Sequence, residues 1–154
     1  MAFTLTIKIN KEFNVRGDYE KVFNVLSTVP VSASHFPNVD KVEEIGDNTF
    51  RWDMEKIGID KYYFQTVYAC KYTSNKEEGW VKWIPVQEIG NALLKGEWNI
   101  SKKNDGTNIK FYTEGDLSFP FPSIAKFIIS PIITKKFEGF INKYIENLTN
   151  TFNS

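Results

Sequence analysis

The stretch SPIITKKFEGFINKYIENLTNTF, residues 130–152, sets the terms for the rest of the chain. Phe137, Ile141, Tyr144, Leu148 and Phe152 recur at three- and four-residue spacing, which places them on one side of a helix. Lys136, Asn142, Lys143 and Glu146 fall mostly on the other side. Ser130 reads as the cap of this helix and Pro131 as a first-turn residue, where its missing N–H costs nothing. A long helix with one apolar stripe needs a surface to bury it against, and the sequence upstream has to supply that surface.

Working back from that helix, Phe119-Pro120-Phe121-Pro122 ends an extended stretch, and Ser123 to Ile129 reads as a short helical lead-in. Before it, Thr107, Ile109, Phe111 and Thr113 alternate in a strand that continues to Phe119, and Asp105-Gly106 gives a hairpin turn. Further upstream, strands are expected over Ala92–Ser101, Trp80–Val86, Tyr62–Tyr72, the run holding Phe50, Trp52 and Met54, and Val39–Ile45. Gly46-Asp47-Asn48, Gly58 and Asn75–Gly79 read as turns between them. At the N-terminus Phe3, Leu5, Ile7, Ile9, Phe13 and Val15 share one face of a long strand, with Lys11 interrupting it at a bulge or a solvent-facing end. Asp18 then caps a helix carrying Val22, Phe23, Val25 and Leu26, Pro30 stops it, and Val31–Phe36 forms a second short helix. The sum is one α+β domain over residues 1–154, an antiparallel sheet wrapped around a long C-terminal helix, with two short helices after the first strand.

This order resembles the helix-grip fold of the START and birch-pollen-allergen-like superfamily, often called SRPBCC. The residues that carry the resemblance are Phe13-x-Val15, Tyr19-Glu20-Lys21-Val22-Phe23-x-x-Leu26, Phe36-Pro37-x-Val39, Gly96-x-Trp98-x-Ile100, Asp105-Gly106-Thr107-x-Ile109 and Tyr144-Ile145-x-x-Leu148. It spans essentially the whole chain, but its motifs are packing motifs. It implies a cavity between sheet and helix that holds a lipid, sterol, polyketide or other hydrophobic molecule. Some members of the superfamily are cyclases, aromatases or hydrolases, and others act through protein partners.

Composition removes several other classes. Lysine plus arginine and aspartate plus glutamate both total 19, and no basic run exists to neutralise phosphates, so nucleic acid is not an expected partner. One cysteine, Cys70, and one histidine, His35, supply no metal-ligand cluster, and no cofactor is expected. The lone cysteine and the lack of a signal-like segment fit a reducing, cytoplasmic setting. No apolar run is long enough to span a bilayer, although transient membrane contact is compatible with the composition. Asn99-Ile100-Ser101 and Asn147-Leu148-Thr149 match glycosylation sequons by accident in such a setting.

Aromatic residues make up 16% of the chain, and such side chains can build a dense core or line a cavity, two uses that composition does not separate. The expected lining or mouth residues are Phe36, Trp52, Met54, Lys56, Phe64, Trp83, Trp98, Phe111, Phe119, Phe121, Phe127, Pro131 and Lys135. Lys56 is included because it shares strand parity with Trp52 and Met54, and Lys135 because it lies early in the last helix. Either could meet a ligand carboxylate. Trp80 and Trp83 point to opposite faces of a regular strand, so only one can face inward. Phe119, Phe121 and Phe127 are read either as an anchored crossover or as a gate over the ligand.

No catalytic constellation is legible, and a carrier or sensor of a hydrophobic molecule, with a fatty-acyl chain as the specific guess, needs none. An enzyme in the same cavity (a cyclase, aromatase or acyl-thioester hydrolase) would draw a proton donor from Tyr62, Tyr68, Tyr112 or His35. A protein-interaction module using an exposed apolar face is the third reading.

Overall fold

The computed structural model describes residues 2–59 and 61–154. Strand β1 (Phe3–Val15) leads into helices α1 (Tyr19–Ser27) and α2 (Val29–Ala33). Strands β2 (Val39–Gly46), β3 (Thr49–Met54), β4 (Ile57–Ile59), β5 (Tyr62–Phe64), β6 (Val67–Asn75), β7 (Trp80–Pro85), β8 (Ala92–Lys103) and β9 (Gly106–Phe119) follow. A 3-10 turn at Ser123–Ala125 runs directly into α3 (Lys126–Asn153). Seven strands form one antiparallel sheet in the order β1-β9-β8-β7-β6-β3-β2, and β4 with β5 forms a separate two-stranded hairpin.

The period-two pattern of β1 pairs with β9 from Phe3↔Phe119 to Val15↔Thr107 without a register shift, so the ladder passes Lys11 with no bulge. The first strand thus locks against the last, and the apolar face that β1 shares with its neighbours is covered by α3. That helix buries Ile129, Ile133, Phe137, Ile141, Tyr144, Leu148 and Phe152, the stripe that its spacing dictates. Asp18 caps α1 by accepting a 2.9 Å hydrogen bond from the Lys21 backbone N–H. Pro30 does not itself stop α1. That helix ends at Ser27, and Pro30 occupies the first turn of α2, where no N–H is required.

The second short helix lies earlier than expected, at Val29–Ala33 rather than Val31–Phe36, because Pro30 opens it instead of stopping the first helix, and three further features depart from the sequence expectation. The long helix begins at Lys126 rather than at Ser130, so Pro131 lies inside it and the Ser130 hydroxyl is buried without a partner instead of capping. An interior proline costs a helix about 3 kcal/mol. Ile129 and Ile133, both fully buried on either side of it, hold the turn in place. The expected strand Tyr62–Tyr72 breaks at Gln65 and Thr66, whose carbonyls accept from the Asn91 side chain (2.7 Å) and the Met54 backbone (2.9 Å). Those bonds take the backbone out of a regular ladder. Gly58 does not turn the chain but pairs with Tyr63 in the β4–β5 hairpin.

Candidate functional site: an aromatic-walled cavity

Between the sheet and α3 the interior is not filled. The space there has a volume of about 80 Å³. Its walls come from β1, α1, α2, the central strands and the middle of α3. Register explains why aromatics meet there. Trp52 pairs with Tyr68, Tyr72 with Trp83, and Trp98 with Phe111, each across neighbouring strands, so inward parity on one strand enforces it on the next.

These rings close on one another. Phe36 packs on Trp52 at 5.9 Å and on Tyr144 at 4.8 Å between centroids, and Tyr144 packs on Trp98 at 5.8 Å. Trp98 meets Phe111 at 4.5 Å, Phe111 meets Trp83 at 6.0 Å, and Trp83 meets Tyr72 at 5.9 Å. A 3.1 Å hydrogen bond from the Trp52 indole N–H to the Tyr72 hydroxyl completes the circuit. Two glycines keep it open. A Cβ on Gly96, which sits opposite Trp83 in the ladder, would meet that indole at 2.5 Å, and a Cβ on Gly115 would meet Leu94 at 2.9 Å.

The polar atoms in the lining are few and uncharged. Ser32 and Tyr144 hydrogen-bond to each other through their hydroxyls. Tyr68 stacks on Trp52 with the planes 9° apart and is 8% exposed. Among the described residues its hydroxyl has no hydrogen-bond partner. Burial raises the pKa values of Tyr68, Tyr72 and Tyr144 above the ordinary tyrosine range, because a phenolate there would lose its hydration. All three stay protonated near neutrality and act as hydrogen-bonding hydroxyls. Among the described residues no acidic, basic or imidazole side chain lines the space. The arrangement can enclose an apolar body and bond to one or two polar atoms on it.

Of the expected residues, Phe36, Trp52, Met54, Trp83, Trp98 and Phe111 lie in the wall. The others lie elsewhere. Phe64 and Phe119 are buried against each other at 4.1 Å, and Phe121 packs on Tyr62 at 4.5 Å, forming a second aromatic cluster under the β4–β5 hairpin. Phe127 is 82% exposed and points away from the interior. Pro131 and Lys135 lie on the solvent side of α3, and Lys56 is exposed because β3 ends at Met54, where strand parity no longer applies. Trp80 faces outward, its indole bonded to Glu78 and covered by Lys82. Tyr112 has the opposite parity to the inward-facing Phe111 and Thr113, and Tyr62 belongs to the hairpin cluster.

His35 is engaged on both ring nitrogens. Nδ1 donates to the Val31 carbonyl at 2.9 Å, which leaves Nε2 to accept from the Thr151 hydroxyl at 2.8 Å. The His35 carbonyl accepts from Asn147 at 2.9 Å, so this residue ties the end of α2 to α3. His35→Ala is expected to lower stability by about 1–3 kcal/mol through the loss of the two ring-nitrogen bonds, the Asn147 bond to the backbone carbonyl being retained, read as a shift in the urea midpoint. A neutral effect would show that the tie is not structural. Tyr72, Tyr144 and Ser32 are wall residues not included in the sequence-based set. Tyr144 was visible on the helix stripe, Tyr72 only through its register with Trp83, and Ser32 left no signal.

No protein-family model matches the sequence, and no curated protein matches it. Solved structures do. A START superfamily protein from Mycobacterium smegmatis superposes with a TM-score of 0.65 at 13% identity, covering 94% of this chain and 96% of that one. The Zhui aromatase/cyclase from Streptomyces sp. R1128 gives 0.60 at 13% identity, covering 95% and 90%. Norcoclaurine synthase from Thalictrum flavum gives 0.59 at 21% identity, covering 96% and 87%. With its seven-stranded antiparallel sheet, two short helices after the first strand and long C-terminal helix, the chain has the SRPBCC-type helix-grip fold that these proteins share.

Proposed function

We propose that the chain binds an uncharged, compact hydrophobic molecule in the aromatic-walled cavity, as its carrier or sensor. The observation that supports this best is the lining itself, with aromatic and aliphatic walls, a few hydroxyls and no ionised group. Apolar burial supplies the affinity, on the order of 0.8 kcal/mol per methylene-sized group. The unpartnered Tyr68 hydroxyl supplies a single directional contact. An ionised carboxylate would be buried there without a counter-charge, which carries a large desolvation cost. The free volume also falls below the roughly 300–1,000 Å³ of drug-sized pockets, which favours a ring system over a long acyl chain.

Freshly purified protein is expected to carry such a molecule in native mass spectrometry, released by organic extraction. In calorimetric titrations near neutral pH, 2-naphthol is expected to bind at one site, and 2-naphthoate at least tenfold more weakly. Tyr68→Phe is expected to weaken 2-naphthol binding about 2- to 10-fold, the value of one hydrogen bond. Equal binding of phenol and carboxylate would overturn the uncharged-ligand reading. Stoichiometric palmitate binding would select the fatty-acyl alternative.

The convergence of the Tyr68, Tyr72, Tyr144 and Ser32 hydroxyls supports a second reading, a cyclase or aromatase that works by confinement. It requires the extracted molecule to be chemically altered when returned to the protein. Recovery of an unchanged molecule argues for the carrier.

A further inference from the structure

We propose that the start of α3, together with the 3-10 turn before it, forms a docking surface for a membrane that carries anionic lipid. Ile124, Phe127 and Ile128 are 77%, 82% and 58% exposed, an unusual density of bare apolar side chains. With Pro131 and Lys135 they follow three- and four-residue spacing, so they share one side of the helical segment. On the opposite side Ala125, Ile129 and Ile133 are buried in the core. The segment is therefore anchored, and its apolar side is held out to solvent.

Charge identifies the partner. From Leu117 to Phe137 the chain carries Lys126, Lys135 and Lys136 and no acidic residue, although its net charge is zero. All three lysines are exposed, and none belongs to an ion pair among the described residues. Apolar side chains flanked by three lysines, with the nearest acid, Glu138, one turn beyond Lys135 at the far end of the patch, are matched by an interface whose acyl region takes up Phe127 and Ile128 and whose headgroups are negative. Long lysine stems let the ammonium groups stay at headgroup level. A second copy of the chain fits less well. A twofold contact would bring these lysines close to their own counterparts, and a stable protein interface needs about 20–30 residues a side. This surface is separate from the cavity wall, so the proposal stands independently of the ligand.

The test is flotation of the intact protein with large unilamellar vesicles of phosphatidylcholine alone or with about one-third phosphatidylglycerol. Binding is expected to the anionic vesicles, much less to the neutral ones, and to fall as salt rises to about 0.5 M. The pair Phe127→Ser and Ile128→Ser is expected to lower partitioning at least tenfold with an unchanged melting curve. Lys126→Gln, Lys135→Gln and Lys136→Gln together should erase the anionic preference. As a readout that does not depend on a destabilised variant, the added tryptophan fluorescence of F127W should be quenched by brominated lipid in anionic vesicles. No flotation of the wild type on anionic vesicles, or unchanged flotation of the serine pair, would overturn the proposal. So would self-association in sedimentation equilibrium that the serine pair abolishes, which would assign the face to a second copy.

Discussion

Ile141→Trp abolishes binding of an apolar guest and leaves a folded protein. Ile141 stands in the cavity wall on α3, 5% exposed, and reaches the space from the helix side. An indole at that position extends into the opening that a guest would occupy. Enlarging a side chain in a packed core costs about 1–3 kcal/mol, but here part of the added volume has space to enter, so the cost falls at the low end. Guest affinity for 2-naphthol should drop by a factor of 100 or more, because the indole already occupies the volume from which apolar burial would come. Leu94→Trp approaches the same space from the sheet side and should behave likewise. Calorimetric titration with a thermal melt of each variant checks both. If either variant melts cooperatively and still binds 2-naphthol with wild-type affinity, the guest site lies outside this cavity.

Raising the pH from about 9 towards 12 unfolds the protein cooperatively, because four buried groups resist ionisation in the folded state. Burial pushes the Cys70 thiol up to about 12 and raises the Tyr68, Tyr72 and Tyr144 hydroxyls above their usual range. The folded state therefore holds these protons when the unfolded chain has begun to release them. Well below the ordinary cysteine pKa of about 8.5 both states hold these protons and nothing changes. Above it the unfolded state binds fewer protons, so stability falls with rising pH, first through Cys70 and then through the tyrosines. Each group contributes up to about 1.4 kcal/mol per pH unit, set against a total stability of roughly 5–15 kcal/mol. Tyrosinate absorbance followed together with circular dichroism should show these tyrosines ionising in one step with loss of structure. Tyr68→Phe with Tyr72→Phe should make the alkaline decline shallower. Ionisation of all the tyrosines in the ordinary range with the secondary structure intact would refute the burial argument.

Much of the architecture could be read from local pattern. The spacing of Phe137, Ile141, Tyr144, Leu148 and Phe152 fixes the buried side of α3, and the alternation from Phe3 to Val15 fixes that of β1. Asp18 caps for reasons contained within a few residues, while the hairpin turn falls on Asn104-Asp105, one residue before the expected Asp105-Gly106, because Gly106 already pairs with Lys103. Where local rules competed with packing they misplaced boundaries. Ser130-Pro131 has the chemistry of a helix start, yet burial of Ile129 and Ile133 extends the helix back to Lys126. Lys56 shares parity with Met54 only on paper, since β3 has already ended.

Local spacing therefore settles which side chains share a face of each regular element, because helix and strand periods are properties of the backbone, but not which strand face turns inward. Only the tertiary structure decided that, and which of the inward residues face open space and which pack solidly. Phe64 and Phe119 fill a cluster beneath the hairpin, while Trp52, Trp83 and Trp98 stand around a cavity. That division depends on strand register, on the missing Cβ atoms of Gly96 and Gly115, and on the pairing of β1 with β9 across more than a hundred residues. Empty volume is what remains after distant surfaces have met, and no short-range period encodes it.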